Sequence, residues 1–159
     1  ALYREFTPTC LIATDPGIAK AIQESGYAEQ NRFHTRRPIA GLGARTLHKD
    51  YKGFSSGPNA VSQSLIDGYQ TIYMLGFDLG TTDGIFNNVY ADTKFYKSIA
   101  DPPTFAGNWI RQIRQLTEDF SQCQFFRVQG PESAHVTGFA EIHNLRCISI
   151  EQFRQQVNI

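Results

Sequence analysis

Blocks of apolar residues separated by polar, turn-forming stretches divide the chain into short elements of two kinds. Thr9, Cys10, Leu11, Ile12, Ala13 and Thr14 form a compact apolar run, the pattern of a strand buried on both faces of a parallel sheet. Asp15, Pro16 and Gly17 follow. Asp15 suits an N-cap and Pro16 a first helical position, so a helix is predicted near 16–25, with Ile18, Ala19 and Ile22 inward and Gly26 as its stop. Residues 31–35 suit a further strand, and the chain from 36 to 54 reads as irregular. Pro58 near the start and Gly68 at the end bound a helix near 58–67 with a small-residue face of Ala60, Val61, Ser64 and Leu65.

Residues 71–77 are again a continuous apolar run and predict a strand. The stretch 79–104 is polar and aromatic, and a connection of that length in a small domain is often functional. Trp109, Ile113, Leu116 and Phe120 recur at spacings of four, three and four, so 106–120 reads as an amphipathic helix. Strands near 124–128 and 145–150 and a closing helix near 151–157 complete the series. This alternation predicts a single α/β domain over 1–159, with a doubly wound, mostly parallel, Rossmann-like sheet and a long loop at 79–104.

Composition narrows the functions open to such a chain. Its 159 residues hold 15 Lys+Arg and 15 Asp+Glu, so the formal net charge is zero. That balance argues against a general nucleic-acid or membrane-surface binder. No apolar run reaches the ~20 residues of a membrane span, and the opening residues have no secretory signal pattern. Cys10, Cys123 and Cys147 are odd in number and widely spaced, without a disulfide framework or a metal knuckle. Cys10 and Cys147 sit in apolar runs and are expected to be small buried residues, in a reducing, cytoplasmic compartment.

Charge is nevertheless uneven along the chain. Arg32, Arg36, Arg37, Arg45, Lys49 and Lys52 stand against one acid, Asp50, between 31 and 54. The stretch reads either as a solvated loop or as a rim facing an anion. It leads into Ser55, Ser56 and Gly57 at the start of the predicted helix. A helix N-terminus presents unpaired amides and a partial positive charge, which favour phosphate or carboxylate. Ser56 could equally be a simple cap. Asp15 and Asp78 each follow an apolar run, where ligands bind in open parallel sheets. The four histidines are scattered and show no metal-ligand spacing. No phosphate-binding loop, zinc-protease or serine-hydrolase motif is present.

Taken together, Ser55, Ser56, Gly57, Pro58, Asn59 and Ala60, followed by the segment from Gly68 to Asp78, resemble the helix–strand signature of a bacterial sialyltransferase family. They are similarly close to archaeal 6-hydroxymethylpterin diphosphokinase-like proteins. The firm match covers about 25 residues and a looser one about 100. The run from Asn87 to Thr93 with Gly107, Asn108 and Trp109 also resembles proteins of this superfamily from marine viruses and bacteria.

The resemblance implies a glycosyltransferase-like domain that binds a nucleotide-sugar donor of CMP type. Ser55, Ser56, Gly57 and Asn59 would contact the nucleotide, and Asp78 would lie near the ribose or the reacting centre. Tyr90 and Tyr96 would hold the donor phosphate. The family's general-base histidine has no counterpart here: the matching stretch carries Asn108, which cannot accept a proton near neutral pH. The chain opens where the family's first strand and turn would end, so the fold is expected to lack that strand, with a self-associating edge as one consequence. Two other readings stay open. One is a diphosphokinase-like enzyme using Mg²⁺ held by Asp78, Asp83 and Asp92; the other is a non-catalytic descendant of the fold. The implied partner is a small anionic nucleotide-type ligand.

Overall fold

Leu11–Ile12 forms β1, and its backbone pairs in parallel with β2, Phe33–Thr35, which pairs in parallel with β3, Arg45–Thr46. The computed structural model describes residues 2–80, 92–96, 98, 100–101, 107–131 and 133–159. The chain falls into two units, Ala1–Gln63 and Ser64–Ile159. Each contains one three-stranded parallel sheet with its strands in sequence order.

In the first unit, α1 (Pro16–Glu24) has Pro16 at its first position, as expected, and Gly26 turns the chain away with φ 76°. The residue at the N-cap is Asp15, but its side chain makes no capping hydrogen bond, contrary to the expectation from its type. Ile18, Ala19 and Ile22 are buried. A single turn, α2 (Tyr27–Gln30), then leads into β2. That central strand is covered on both faces: Phe33 is 0%, His34 7% and Thr35 1% exposed, the burial typical of parallel strands.

His34 illustrates how a buried polar group is accommodated there. Arg32 Nε donates to its Nε2 at 3.2 Å, so Nδ1 carries the proton and donates to the Thr46 carbonyl, also at 3.2 Å. The ring thereby ties β2 to β3 as a satisfied structural histidine.

Tyr27 is less well accommodated. Its hydroxyl is buried with no hydrogen-bond partner among the described residues, and burial, aided by Cys10 and Tyr3, raises its pKa above the ordinary 10.0. A raised phenol pKa means stability is full below pH 10 and declines as pH rises through that region. Tyr27→Phe removes the orphan hydroxyl and keeps the edge-to-face contact with Tyr3. It is expected to stabilise the fold by about 0.5–1 kcal/mol and to blunt its alkaline loss. Urea unfolding of both proteins near neutral and alkaline pH checks this. A variant destabilised by more than about 1 kcal/mol would contradict it.

The third helix, α3 (Ser56–Ile66), begins in the first unit, and Gly68 closes it with φ 95°. In the second unit β4 (Thr71–Met74) pairs with β5 (Gln124–Gln129), and β5 with β6 (Leu145–Ser149). The amphipathic helix α4 (Gly107–Asp119) buries Ile113 and Leu116, which are 1% and 0% exposed. Phe125, Met74 and Phe139 are equally enclosed. Each large apolar side chain so buried contributes about 1.5–3 kcal/mol. A capping box starts α5 (Ile150–Val157): Gln152 N donates to Ser149 Oγ at 3.2 Å, and Ser149 N donates to Gln152 Oε1 at 2.9 Å.

The α/β character and parallel pairing agree with the sequence reading. The strands are shorter than their apolar runs: β4 stops at Met74 because Gly76 adopts φ 71°, and Leu75 is 56% exposed. The cysteine expectation is corrected. Cys123 is buried, Cys10 only half-buried and Cys147 exposed, because burial along β6 does not follow its apolar run: Arg146 and Cys147 are both exposed between buried Leu145 and Ile148. No helix among the described residues is long and apolar enough to cross a membrane.

Candidate functional site

The end of β1 and the start of α3 meet in the first unit. Thr14 N donates to Ser56 Oγ at 3.0 Å, and the two hydroxyl oxygens lie 2.9 Å apart in a second hydrogen bond. The Ser56 hydroxyl thus bridges 42 residues to the strand end. Asp15 follows Thr14 directly. Two helix N-termini, those of α1 and α3, thus lie beside the carboxyl end of one parallel strand, the place where open α/β sheets take ligands.

The first turn of α3 places backbone amides there. Asn59 N is the first to enter the helical ladder, donating to Ser55 O at 2.9 Å, and Pro58 has no amide hydrogen. The amides of Ser56 and Gly57 remain outside the helix's own bonding, as the first turn of any helix requires. Asn59 itself is 0% exposed. Its Nδ2 donates to Phe54 O at 2.5 Å and Ser55 O at 3.2 Å. It braces the turn from beneath, and a side chain so enclosed is out of a ligand's reach. The sequence reading made it a contact; here it is a support.

Arg36 supplies the cation. Its guanidinium donates to Lys52 O at 3.0 Å, Gly53 O at 3.1 Å and Phe54 O at 2.7 Å. Those carbonyls are neutral, so the charge stays uncancelled beside the residue that precedes Ser55. One member of the basic stretch is thereby fixed at the turn. Arg36 thus acts as a brace as well as a charge, a role its position alone did not reveal.

Asp78, Tyr96 and Asn108 belong to the second unit. Asp78 closes β4's end in a network: Ser133 Oγ donates to its Oδ1 at 2.9 Å, and its carbonyl accepts from Ala134 N at 3.1 Å. Arg127, 0% exposed on β5, donates to Phe77 O at 2.8 Å, Ala134 O at 2.9 Å and Asp78 O at 2.5 Å. Burial lowers the guanidinium's pKa from its ordinary value, against the raising effect of nearby Cys147 and Asp78. The carboxylate that the resemblance puts near the ribose or the reacting centre, as the candidate catalytic residue, is in this geometry a tie between the segments that follow β4 and β5. Tyr96 is half-buried, with its amide bonded to Thr93 O at 3.0 Å, and Asn108 is exposed in the first turn of α4. Tyr90 and Asp83 lie outside the described residues. Among the described residues no group of three His, Cys, Asp or Glu is placed to hold a metal ion.

Arg127 was missed in the sequence, although a period of two puts it on the same strand face as Phe125, which is 0% exposed. No family model, curated protein or solved structure matches the chain.

Proposed function

We propose that the chain binds a small phosphate-bearing ligand of nucleotide or nucleotide-sugar type at the carboxyl end of β1. The carrying observation is the double hydrogen bond between Thr14 and Ser56. It brings together Asp15 and the Ser55–Gly57 turn, which the sequence marks independently as ligand-binding. The amides of Ser56 and Gly57 would receive the phosphate, with Arg36 adding charge from behind the turn. The Asp15 carboxylate, which makes no capping bond to α1, would accept from a ribose or sugar hydroxyl. In each unit the three parallel strands run in sequence order, as in one half of a doubly wound nucleotide-binding fold, and this supports the finer fold reading. The resemblance to sialyltransferases makes a CMP-linked sugar the first donor to test. A transfer activity would need a general base other than Asn108.

Thermal unfolding with CMP, CDP, GTP, ATP, cytidine and inorganic phosphate, each with and without Mg²⁺, tests the reading. A ligand that binds only the folded chain at 100 times its Kd adds about 2.7 kcal/mol. CMP and CDP are expected to raise Tm without Mg²⁺, and cytidine to act weakly. A Tm moved only by a Mg²⁺-dependent purine nucleotide would overturn the donor reading, and a Tm moved by none would overturn binding itself.

A further inference from the structure

The second unit holds a cleft of about 600 Å³ along β6, walled by β5, α5 and the segment from 135 to 140. This volume suits a small organic molecule. Phe126, Val136, Phe139, Leu145 and Ile148 supply its apolar surface.

Its polar lining is one-sided. Arg127, Arg146 and His135 line it, and no aspartate or glutamate does. Arg146 is exposed and has no ion pair among the described residues. Gln152 and Gln156 line the same cleft, and their oxygens are already engaged. Gln152 Oε1 accepts from Ser149 N at 2.9 Å, and Gln156 Oε1 accepts from Tyr73 Oη at 3.0 Å. Each glutamine also carries an NH₂ group, a pair of donors. The buried Arg127 guanidinium donates three hydrogen bonds to carbonyl oxygens, and Cys147 and Asp78 lie near enough to favour its charge. A space lined by two arginines and glutamine amides, without a carboxylate, is matched by an acceptor-rich anion.

We propose that this cleft is a second binding site, separate from the one at β1, for a small organic anion: a carboxylate or phosphate carried on an apolar, ring-sized body. The head group would meet Arg146 and the glutamine amides, and the body would cover Phe126 and its apolar neighbours.

Cys147 gives a direct readout, because it is exposed and lines the cleft while Cys123 is buried. In a Cys10→Ser background, Cys147 is the accessible thiol, and its maleimide labelling can be followed by peptide mass spectrometry. Phenyl phosphate or benzoate at about 10 mM is expected to slow that labelling by about fivefold or more. Inorganic phosphate should protect less and benzyl alcohol not at all. The two anions, run separately, show which head group is preferred. Arg146→Gln alters an exposed side chain and is expected to weaken protection by about tenfold. Labelling unaffected by both anions would overturn the proposal, as would protection undiminished in Arg146→Gln or matched by benzyl alcohol. None of these results bears on CMP binding at the β1 end, which is read by a different ligand at different residues.

Discussion

Replacing Arg127 with methionine is expected to destabilise the chain by about 3–5 kcal/mol. Methionine fills a similar volume, so the effect is one of hydrogen bonding and not of cavity formation. Three carbonyls, of Phe77, Asp78 and Ala134, receive the guanidinium in the native fold. Only the Asp78 carbonyl keeps another donor, Ala134 N. A buried acceptor left without a partner costs about 1–3 kcal/mol, and two or three add to the stated range. Against a total stability of about 5–15 kcal/mol the loss is severe. Arg127→Lys keeps the charge but cannot reach three acceptors from one ammonium, and should fall roughly halfway between. Urea unfolding gives both values, and hydrogen exchange at Ala134 N should accelerate in each. A methionine variant within about 1 kcal/mol of the parent would show that the guanidinium is not the clasp described.

Gly43→Ala should cost about 3 kcal/mol or more, for two separable reasons. Gly43 has φ 76°, which an L side chain adopts at a cost of about 1–2 kcal/mol. A Cβ there would also run into backbone, meeting Ala28 C at 2.7 Å and Glu29 Cα at 2.9 Å. Backbone cannot swing aside as a flexible side chain can, so α2 would have to shift. Gly41 separates the two causes: its φ is 82°, yet nothing lies within 4 Å of the corresponding Cβ. Gly41→Ala should therefore carry only the conformational cost. Equal losses in the two variants, measured by urea unfolding, would remove the close approach from the account.

Much of the scaffold was readable because its elements obey periodic patterns. The spacing of Ile113 and Leu116 marks α4, and the apolar run at 71–74 marks β4, since each encodes burial directly. β3 was not readable: Arg45 and Thr46 are two exposed residues, held by pairing with His34 and Thr35 and not by any apolar pattern of their own. α2 is a single turn, too short for a period to show. At the site, residue types marked Asp15 and the Ser55–Gly57 turn, but not the Thr14–Ser56 link, which joins positions 42 apart. Asn59 and Arg36 have ligand-binding chemistry, and tertiary structure turns both toward carbonyls of the 52–55 segment. Long-range hydrogen bonds of this kind leave no periodic trace in a sequence. Cys147 misled because an apolar neighbourhood in sequence does not decide which side chains of a strand are covered: it is exposed while Leu145 and Ile148 of the same strand are buried.

The central claim is that the α3 turn receives a phosphate group, and titrating CMP while following backbone amide resonances tests it most directly. The expected result is saturable movement of the Ser56 and Gly57 amides, with Thr14 following, at a Kd between roughly millimolar and micromolar. Gly57→Val, which places a branched side chain where the phosphate would approach, should retain the folded spectrum and lose the saturable shifts. A folded Gly57→Val that binds CMP as tightly as the parent, or a parent whose Ser56 and Gly57 amides stay still, would mean that this turn only joins a strand to a helix.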